Sequence, residues 1–166
     1  MRGMTKREFE ITDPSRIRSI LDTAKILRLG LAVDNEPYVV PMNYGYRMEA
    51  GKLTLYLHSA VQGKKLDMLK TNPNVFFELD CDHVPFEGKL PCQYGISYAS
   101  VMGRAKAAIV EDVEEKTEAM SILMKTQTGK DFTFDDRKAS IVSVIRITAD
   151  YYTAKKRPAP QRPEEE

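Results

Sequence analysis

The chain has 166 residues, 42% hydrophobic and 30% charged, which is the composition of one globular domain and excludes wholesale disorder. A net charge of +1 gives no general attraction to nucleic acid or to an anionic membrane, so neither is an expected partner and any anion site must be local. No run approaches the roughly 20 apolar residues of a membrane span, and the mixed-charge start MRGMTKREFEITD does not read as a secretory signal, so a cytoplasmic protein is expected.

Asp13-Pro14 followed by Ile17, Ile20, Leu21 and Ala24 reads as an N-capped amphipathic helix with proline at its tolerated first position. Leu27–Val33 is a short apolar run closed by the turn signal Asp34-Asn35, and Tyr38–Tyr46 alternates behind it, so the pair reads as a β-hairpin. Tyr38, Val40, Met42, Tyr44 and Tyr46 share one face of that second strand, and Val39, Pro41 and Asn43 the other. Pro41 cannot donate a ladder hydrogen bond, which places this strand at an edge or distorts it there.

Leu53, Leu55 and Leu57 alternate with Thr54, Tyr56 and His58 along the next strand. A turn and a short helix opening on Lys64-Lys65 follow, then a strand at Val75–Leu79 after Asn72-Pro73-Asn74. Tyr98–Val110 is a long strand whose Gly103 marks a bulge, a bend or the close approach of something flat. Asp112 with Glu115 opens a helix whose stripe of Val113, Thr117, Met120 and Leu123/Met124 reads as core. Phe132–Lys138 reads as a turn or short helix and Ile141–Ala149 as the last strand. From Lys155, KKRPAPQRPEEE has the composition of a disordered tail over 155–166, leaving 1–154 as the domain. The count is six strands with short connections and no regular β-helix-β alternation, so a mainly β, antiparallel barrel with peripheral α-helices is expected.

Cys81 and Cys92 make no disulfide framework and are expected as reduced thiols. Cys81-Asp82-His83 has the residue types of a metal ligand set, but only His58 and Cys92 could join it. The spacing of a structural zinc site is lacking, and no metal is expected.

The strongest chemical signal is local. A helix N-terminus carries partial positive charge and unpaired N–H groups, so Lys64 and Lys65 there are misplaced unless an anion sits among them. Helix N-termini bind phosphate, and Gly63 lets the backbone come close, so this turn reads as a phosphate site. Polar residues recur where a pure core would not want them, in Val40-Pro41-Met42-Asn43-Tyr44, in His58-Ser59-Ala60 and in Ser100-Val101-Met102-Gly103.

With those residues in view, RLGLAVDNEPYVVPMNYGY, LYLHSAVQGKKLDMLKTNPNVFFELD and SYASVMGRAKA together resemble the pyridoxamine 5′-phosphate oxidase-related proteins, and among them the branch named for 5-nitroimidazole resistance. The resemblance spans Arg7 to Thr153 and is most specific at P-x-N-[YF]-G-Y and H-S-A-x-x-G-K-K. It implies an FMN-binding split barrel forming a homodimer, with the flavin at the subunit interface. Val40, Pro41, Met42, Asn43 and Tyr44 would lie along the isoalloxazine ring, with Asn43 near its polar edge. His58, Ser59 and Ala60 would sit beside the ribityl chain and ring, and Gly63, Lys64 and Lys65 at the phosphate. Ser100, Val101 and Gly103 would come from the same sheet or from the partner chain. His58 is the implied reactive side chain of an oxidoreductase acting on a small planar acceptor such as a nitroaromatic. The alternative is a carrier or sensor module that binds flavin or haem without turnover. ITADYYTAKKR has no clear counterpart of the arginine and histidine set of the true oxidases, so pyridoxamine phosphate is not the expected substrate.

Overall fold

The structure is a computed structural model that describes residues 6–160. In chain order it runs β1 (Glu10–Ile11), α1 (Pro14–Thr23), β2 (Leu27–Val33), β3 (Glu36–Met42), β4 (Gly45–Glu49), β5 (Lys52–Ser59) and α2 (Lys64–Thr71). It continues through β6 (Asn74–Phe86), β7 (Gly95–Val110), α3 (Val113–Thr128), α4 (Asp136–Ser140) and β8 (Ser143–Arg157). All strand pairs are antiparallel, in the order β3-β2-β6-β7-β8-β5-β4, with β1 added to β8.

The ends of that order, β3 and β4, are consecutive in the chain and joined through Asn43-Tyr44, so the sheet must curl until its edges meet. It closes as a split barrel. Among the described residues β3 pairs only with β2, and β4 pairs with β5 only as far as Gly45 opposite Tyr56, which leaves Leu57–Ser59 without a partner on that side. The gap between the free edges of β3 and of β5 is the split.

Alternation sets which side chains fill the barrel. Leu27, Leu29 and Leu31 of β2, Leu53, Leu55 and Leu57 of β5, and Val75, Phe77 and Leu79 of β6 all enter one buried cluster. α1 contributes Ile17, Ile20 and Leu21 to it, and α2 contributes Leu66, Met68 and Leu69. The Asp13 carboxylate accepts from the Ser15 N–H at 2.9 Å, so the expected N-cap of α1 is present, with Pro14 behind it. α3 lies outside the barrel over β4 and β5, where Tyr56, Val110, Ala119 and Val144 make a second buried cluster. Of its expected stripe, Leu123 is buried and Val113 exposed, and Ala119 takes the central place.

Among the described residues eight strands replace the expected six. One addition is the short β1, and the other is a division of the expected strand Tyr38–Tyr46 into β3 and β4. The Tyr44 hydroxyl donates to the carbonyls of Leu21 and Ala24 at 2.7 and 3.0 Å, and Gln127 Nε2 donates to the Tyr44 carbonyl at 2.7 Å. Tyr44 is thereby tied to two helices instead of to a neighbouring strand.

The last strand begins at Ser143 and does not stop at Ala149. Opposite β7 the register shifts between Arg104 and Ala105, whose partners are Tyr151 and Ala149, leaving Asp150 as the extra residue of a bulge. Beyond it the alternation resumes in the other phase, with Tyr152 packed on the core and Ala154 buried. The boundary expected at Lys155 therefore falls inside β8. Lys155 stacks on Tyr98, Lys156 pairs with Asp82 at 3.0 Å, and Arg157 stacks on Phe86. The remainder of the expected tail from residue 161 lies outside the described residues. No described helix is long and apolar enough to cross a membrane.

Candidate functional site

The segment between β5 and α2 is shaped by Gly63, whose φ of 144° and ψ of 162° lie in a region that residues with a Cβ avoid. That turn starts α2, and the Gly63 carbonyl accepts the first helical bonds from Leu66 and Asp67 at 2.9 and 3.2 Å. The N–H groups at the start of α2, beside Lys64 and Lys65, have no partner within the helix. Asp67, the acidic residue of that turn, is engaged by Lys70 at 3.8 Å, and among the described residues neither Lys64 nor Lys65 forms a salt bridge. Two cations and a helix N-terminus thus stand together without a counter-anion, an arrangement that an oxyanion stabilises.

Lys64 links this end of α2 to the barrel edge, because its Nζ lies 4.7 Å from the centroid of the Tyr38 ring on β3. From Tyr38, β3 runs along the split to Met42, with Asn43 just beyond it, and at about 3.4 Å per residue Tyr38 to Asn43 is a span of about 17 Å. The far end is fixed by α3, where Gln127 Oε1 faces Asn43 Nδ2 at 3.4 Å. Across the split, β5 presents His58 on its outward face. The ring is half-buried, and Nδ1 is buried with no hydrogen-bond partner among the described residues. A buried imidazole nitrogen left without a partner costs free energy unless a ligand or water supplies one.

The expected site residues divide into two groups. Val40, Pro41, Met42, Asn43, Tyr44, His58, Ser59, Ala60, Gly63, Lys64 and Lys65 lie along the two rims of the split and at one end of it. Within that group the side chains of Met42 and Tyr44 belong to the core, so only their backbone borders the split. Ser59 is buried and donates its hydroxyl to the Ala60 carbonyl at 2.8 Å. Ser100, Val101 and Gly103 are elsewhere, on β7, which two strands separate from β3. Val101 fills the core, and Ser100 is buried between Asp80 of β6 and Lys155 of β8 in register. A Cβ added to Gly103 would lie 2.3 Å from the Tyr151 carbonyl oxygen, so the close approach at this glycine is that of the bulged strand β8. One chain does not bring this second group to the split.

Two neighbours of the site had little signal in the sequence. Tyr38 was visible only as a strand residue, and Gln127 lies 84 residues from Asn43 with no local motif. A third feature is the outward face of β2 and β6. There Arg28 Nη1 reaches Glu78 at 2.9 Å and Asp80 at 2.6 Å, and His83 Nε2 lies 2.7 Å from Asp80. Burial raises the Asp80 carboxyl, but hydrogen bonds from Arg28 and His83 outweigh it and hold the group below its usual range. Burial, then the Asp80 charge, pushes Glu78 the other way. His83 is thus held on the outside of the sheet while Cys81 is buried within, and the three residues Cys81-Asp82-His83 do not converge.

A model of the family described as pyridoxamine 5′-phosphate oxidase matches residues 13–156. Among solved structures, a protein of Bacteroides thetaiotaomicron named for 5-nitroimidazole antibiotic resistance is similar at 36% identity over 89% of this chain and 86% of its own, with a TM-score of 0.74. A flavocytochrome from Azotobacter vinelandii is similar at 15% identity over 99% and 76%, TM-score 0.76. An FAD- and heme-binding protein from Mycobacterium smegmatis is similar at 14% identity over 93% and 77%, TM-score 0.75, and these two likenesses are of fold alone. No curated protein sequence matches the chain.

Proposed function

The chain belongs to the pyridoxamine 5′-phosphate oxidase family, on the branch named for 5-nitroimidazole resistance, and we propose that it is an FMN-dependent oxidoreductase that reduces a small planar acceptor such as a nitroaromatic. The observation that carries the reading is the set of groups along one split. It comprises Lys64, Lys65 and the start of α2 without a counter-anion, the open edges of β3 and β5, and the unbonded Nδ1 of His58.

These residues fit a flavin mononucleotide. Lys64, Lys65 and the α2 N–H groups would hold its phosphate, and the backbone from Val40 of β3 to Tyr44 just beyond it would offer donors and acceptors to the ring. Asn43, steadied by Gln127, would meet the ring's polar edge. His58 would hold or release a proton at Nδ1 beside the reacting face. Bound FMN supplies the hydride or electron chemistry itself.

The same proposal includes a homodimer. Val39, Phe76, Met102 and Tyr151 are large apolar side chains exposed on the face of the sheet that α3 does not cover. A second copy on that face would remove them from water and carry its own Ser100–Gly103 segment toward the split.

The test begins with the absorption spectrum of the purified protein and a titration with FMN and with riboflavin. Charged hydrogen bonds of about 1.5–3 kcal/mol each, discounted for exposure, predict that K64A/K65A weakens FMN about 100-fold and riboflavin less than about 3-fold. Equal loss for both ligands removes the phosphate assignment. A flavin that binds yet stays oxidised with every NAD(P)H-type donor would make the protein a carrier or sensor instead.

A further inference from the structure

The turn that opens α2 is tied to the barrel edge by a side chain to which the flavin reading gives no role, Tyr38 of β3. α2 packs on β2 and is fastened at both ends. At its C-terminal end Asn72 Nδ2 donates to the Ala32 carbonyl at 2.9 Å. Along its length Leu66, Met68 and Leu69 are buried in the same cluster as Leu29 and Leu31. At its N-terminal end the contact is made by Lys64, whose Nζ lies 4.7 Å from the centroid of the Tyr38 ring. Tyr38 stands opposite Leu31 in register and is half-buried against that cluster, so the ring is held in place by the core. Lys64 itself is exposed.

An exposed lysine swings on a flexible four-carbon stem, and that freedom is lost when it grips a phosphate. A partner that holds the side chain beforehand removes part of the loss. The kind of partner decides what remains for the ligand. A carboxylate would fix Lys64 but cancel its charge, and the carboxylate of this turn, Asp67, lies 3.8 Å from Lys70 instead. An aromatic face attracts the ammonium through its quadrupole and carries no net charge, so the whole cation stays available. The ammonium has three N–H donors, and a ring face occupies one side of it. Lys65 is different, since among the described residues it neither forms a salt bridge nor stacks on a ring. Of the two lysines, one is placed before a ligand arrives and the other is not.

We propose that Tyr38 is a positioning residue for the phosphate end of the split, acting through Lys64, and that it sets how strongly a phosphorylated flavin is preferred to the same flavin without phosphate. This rests on the flavin reading. The ring holds the Lys64 ammonium beside the first turn of α2, so the phosphate meets a cation already in place and an uncharged ligand gains nothing from it. β3 then serves the site twice, with backbone near the flavin ring from Val40 onward and with one side chain at the phosphate.

Titration of the full-length protein with FMN and with riboflavin, followed by flavin fluorescence, tests it. The preference, FMN affinity over riboflavin affinity, is the readout, because a merely structural role would not move it. Tyr38→Leu should lower the preference about 2–5-fold, the worth of an exposed cation–π contact. Tyr38→Phe keeps the ring face and should keep the preference. With Lys64→Ala already present, Tyr38→Leu should lower the preference no further, since the two side chains act as one unit. Riboflavin binding reports that a variant is folded, and if Tyr38→Leu does not fold, Tyr38→Met takes its place as a flexible, ringless filler. Equal weakening of both ligands would make Tyr38 a packing residue and overturn the proposal. So would a loss in Tyr38→Phe as large as in Tyr38→Leu, which would assign the effect to the hydroxyl, or losses that add in the double variant. If the parent protein binds neither flavin, the flavin reading fails and takes this role with it; if it binds FMN and Tyr38→Leu leaves the preference unchanged, the role of Tyr38 alone fails.

Discussion

Replacing Gly103 with alanine separates two roles for that residue, a contact with a flat ligand and a contact with β8. The new Cβ would lie 2.3 Å from the Tyr151 carbonyl oxygen, 2.8 Å from Tyr152 Cβ and 2.9 Å from Tyr152 Cα. Real Cβ contacts essentially never fall below 3.0 Å, and two of these atoms are backbone that cannot rotate away. β7 and β8 must therefore separate at the bulge, where β8 already carries the extra residue Asp150. Overpacking of this kind costs about 1–3 kcal/mol. For a chain of this length one kcal/mol corresponds to about 2–4 °C in Tm, so Gly103→Ala should melt roughly 2–12 °C lower. The measurement is thermal and urea unfolding of flavin-free protein, where a ligand contact contributes nothing. A variant that melts within about 1 °C of the parent while losing flavin affinity would refute the packing account and return Gly103 to the cofactor.

Three further outcomes follow from buried side chains. Tyr44→Phe removes the hydroxyl that serves the Leu21 and Ala24 carbonyls, and leaving buried acceptors unpaired should lower the urea-derived stability by about 1–3 kcal/mol. Tyr46 gives an alkaline signature. Burial and the bond to Asp22 raise its phenol from the ordinary tyrosine value to about 12 in the folded chain, so its contribution is complete below about pH 10 and is lost as pH rises toward 12. Tyr46→Phe should flatten the stability profile across that window in urea titrations, and an unchanged slope would count against the burial and Asp22 contacts. Burial likewise pushes the Cys81 thiol up to about 11, whereas Cys92 is exposed. Ellman's reagent at about pH 8 should therefore titrate one thiol in native protein and both after denaturation.

Signals that act over a few residues were legible in the sequence. Asp13 caps α1 at Ser15, and Asp34 and Asn35 take the left-handed backbone, φ 53° and 66°, that a tight hairpin turn requires. Pro41 lies on β3, an edge of the sheet, as a residue without an N–H requires. Signals that depend on a distant partner were not. The strand through Tyr38–Tyr46 divides because Tyr44 is claimed by α1 and by Gln127, 83 residues away. β8 ran past its expected end because Asp150 reverses the phase of the alternation, and a reader following period two loses the pattern there.

The candidate site follows the same physical rule. The residues that converge on the split come from one stretch of chain, Val40 to Lys65, in which β3, β4, β5 and α2 succeed one another with short connections. Local patterning therefore fixes their relation. Ser100 to Gly103 share a barrel with them but lie on β7, and sheet order, which the sequence does not display, puts β2 and β6 in between. The two groups meet only if another surface bridges them. The face that carries Val39, Phe76, Met102 and Tyr151 is the one the described residues leave uncovered, and there Arg28, Glu78, Asp80 and His83 bond one another. Burying paired ions carries a desolvation cost that a partner must repay with further hydrogen bonds, so the homodimer proposed above would draw its stability from Val39, Phe76, Met102 and Tyr151 rather than from that polar centre.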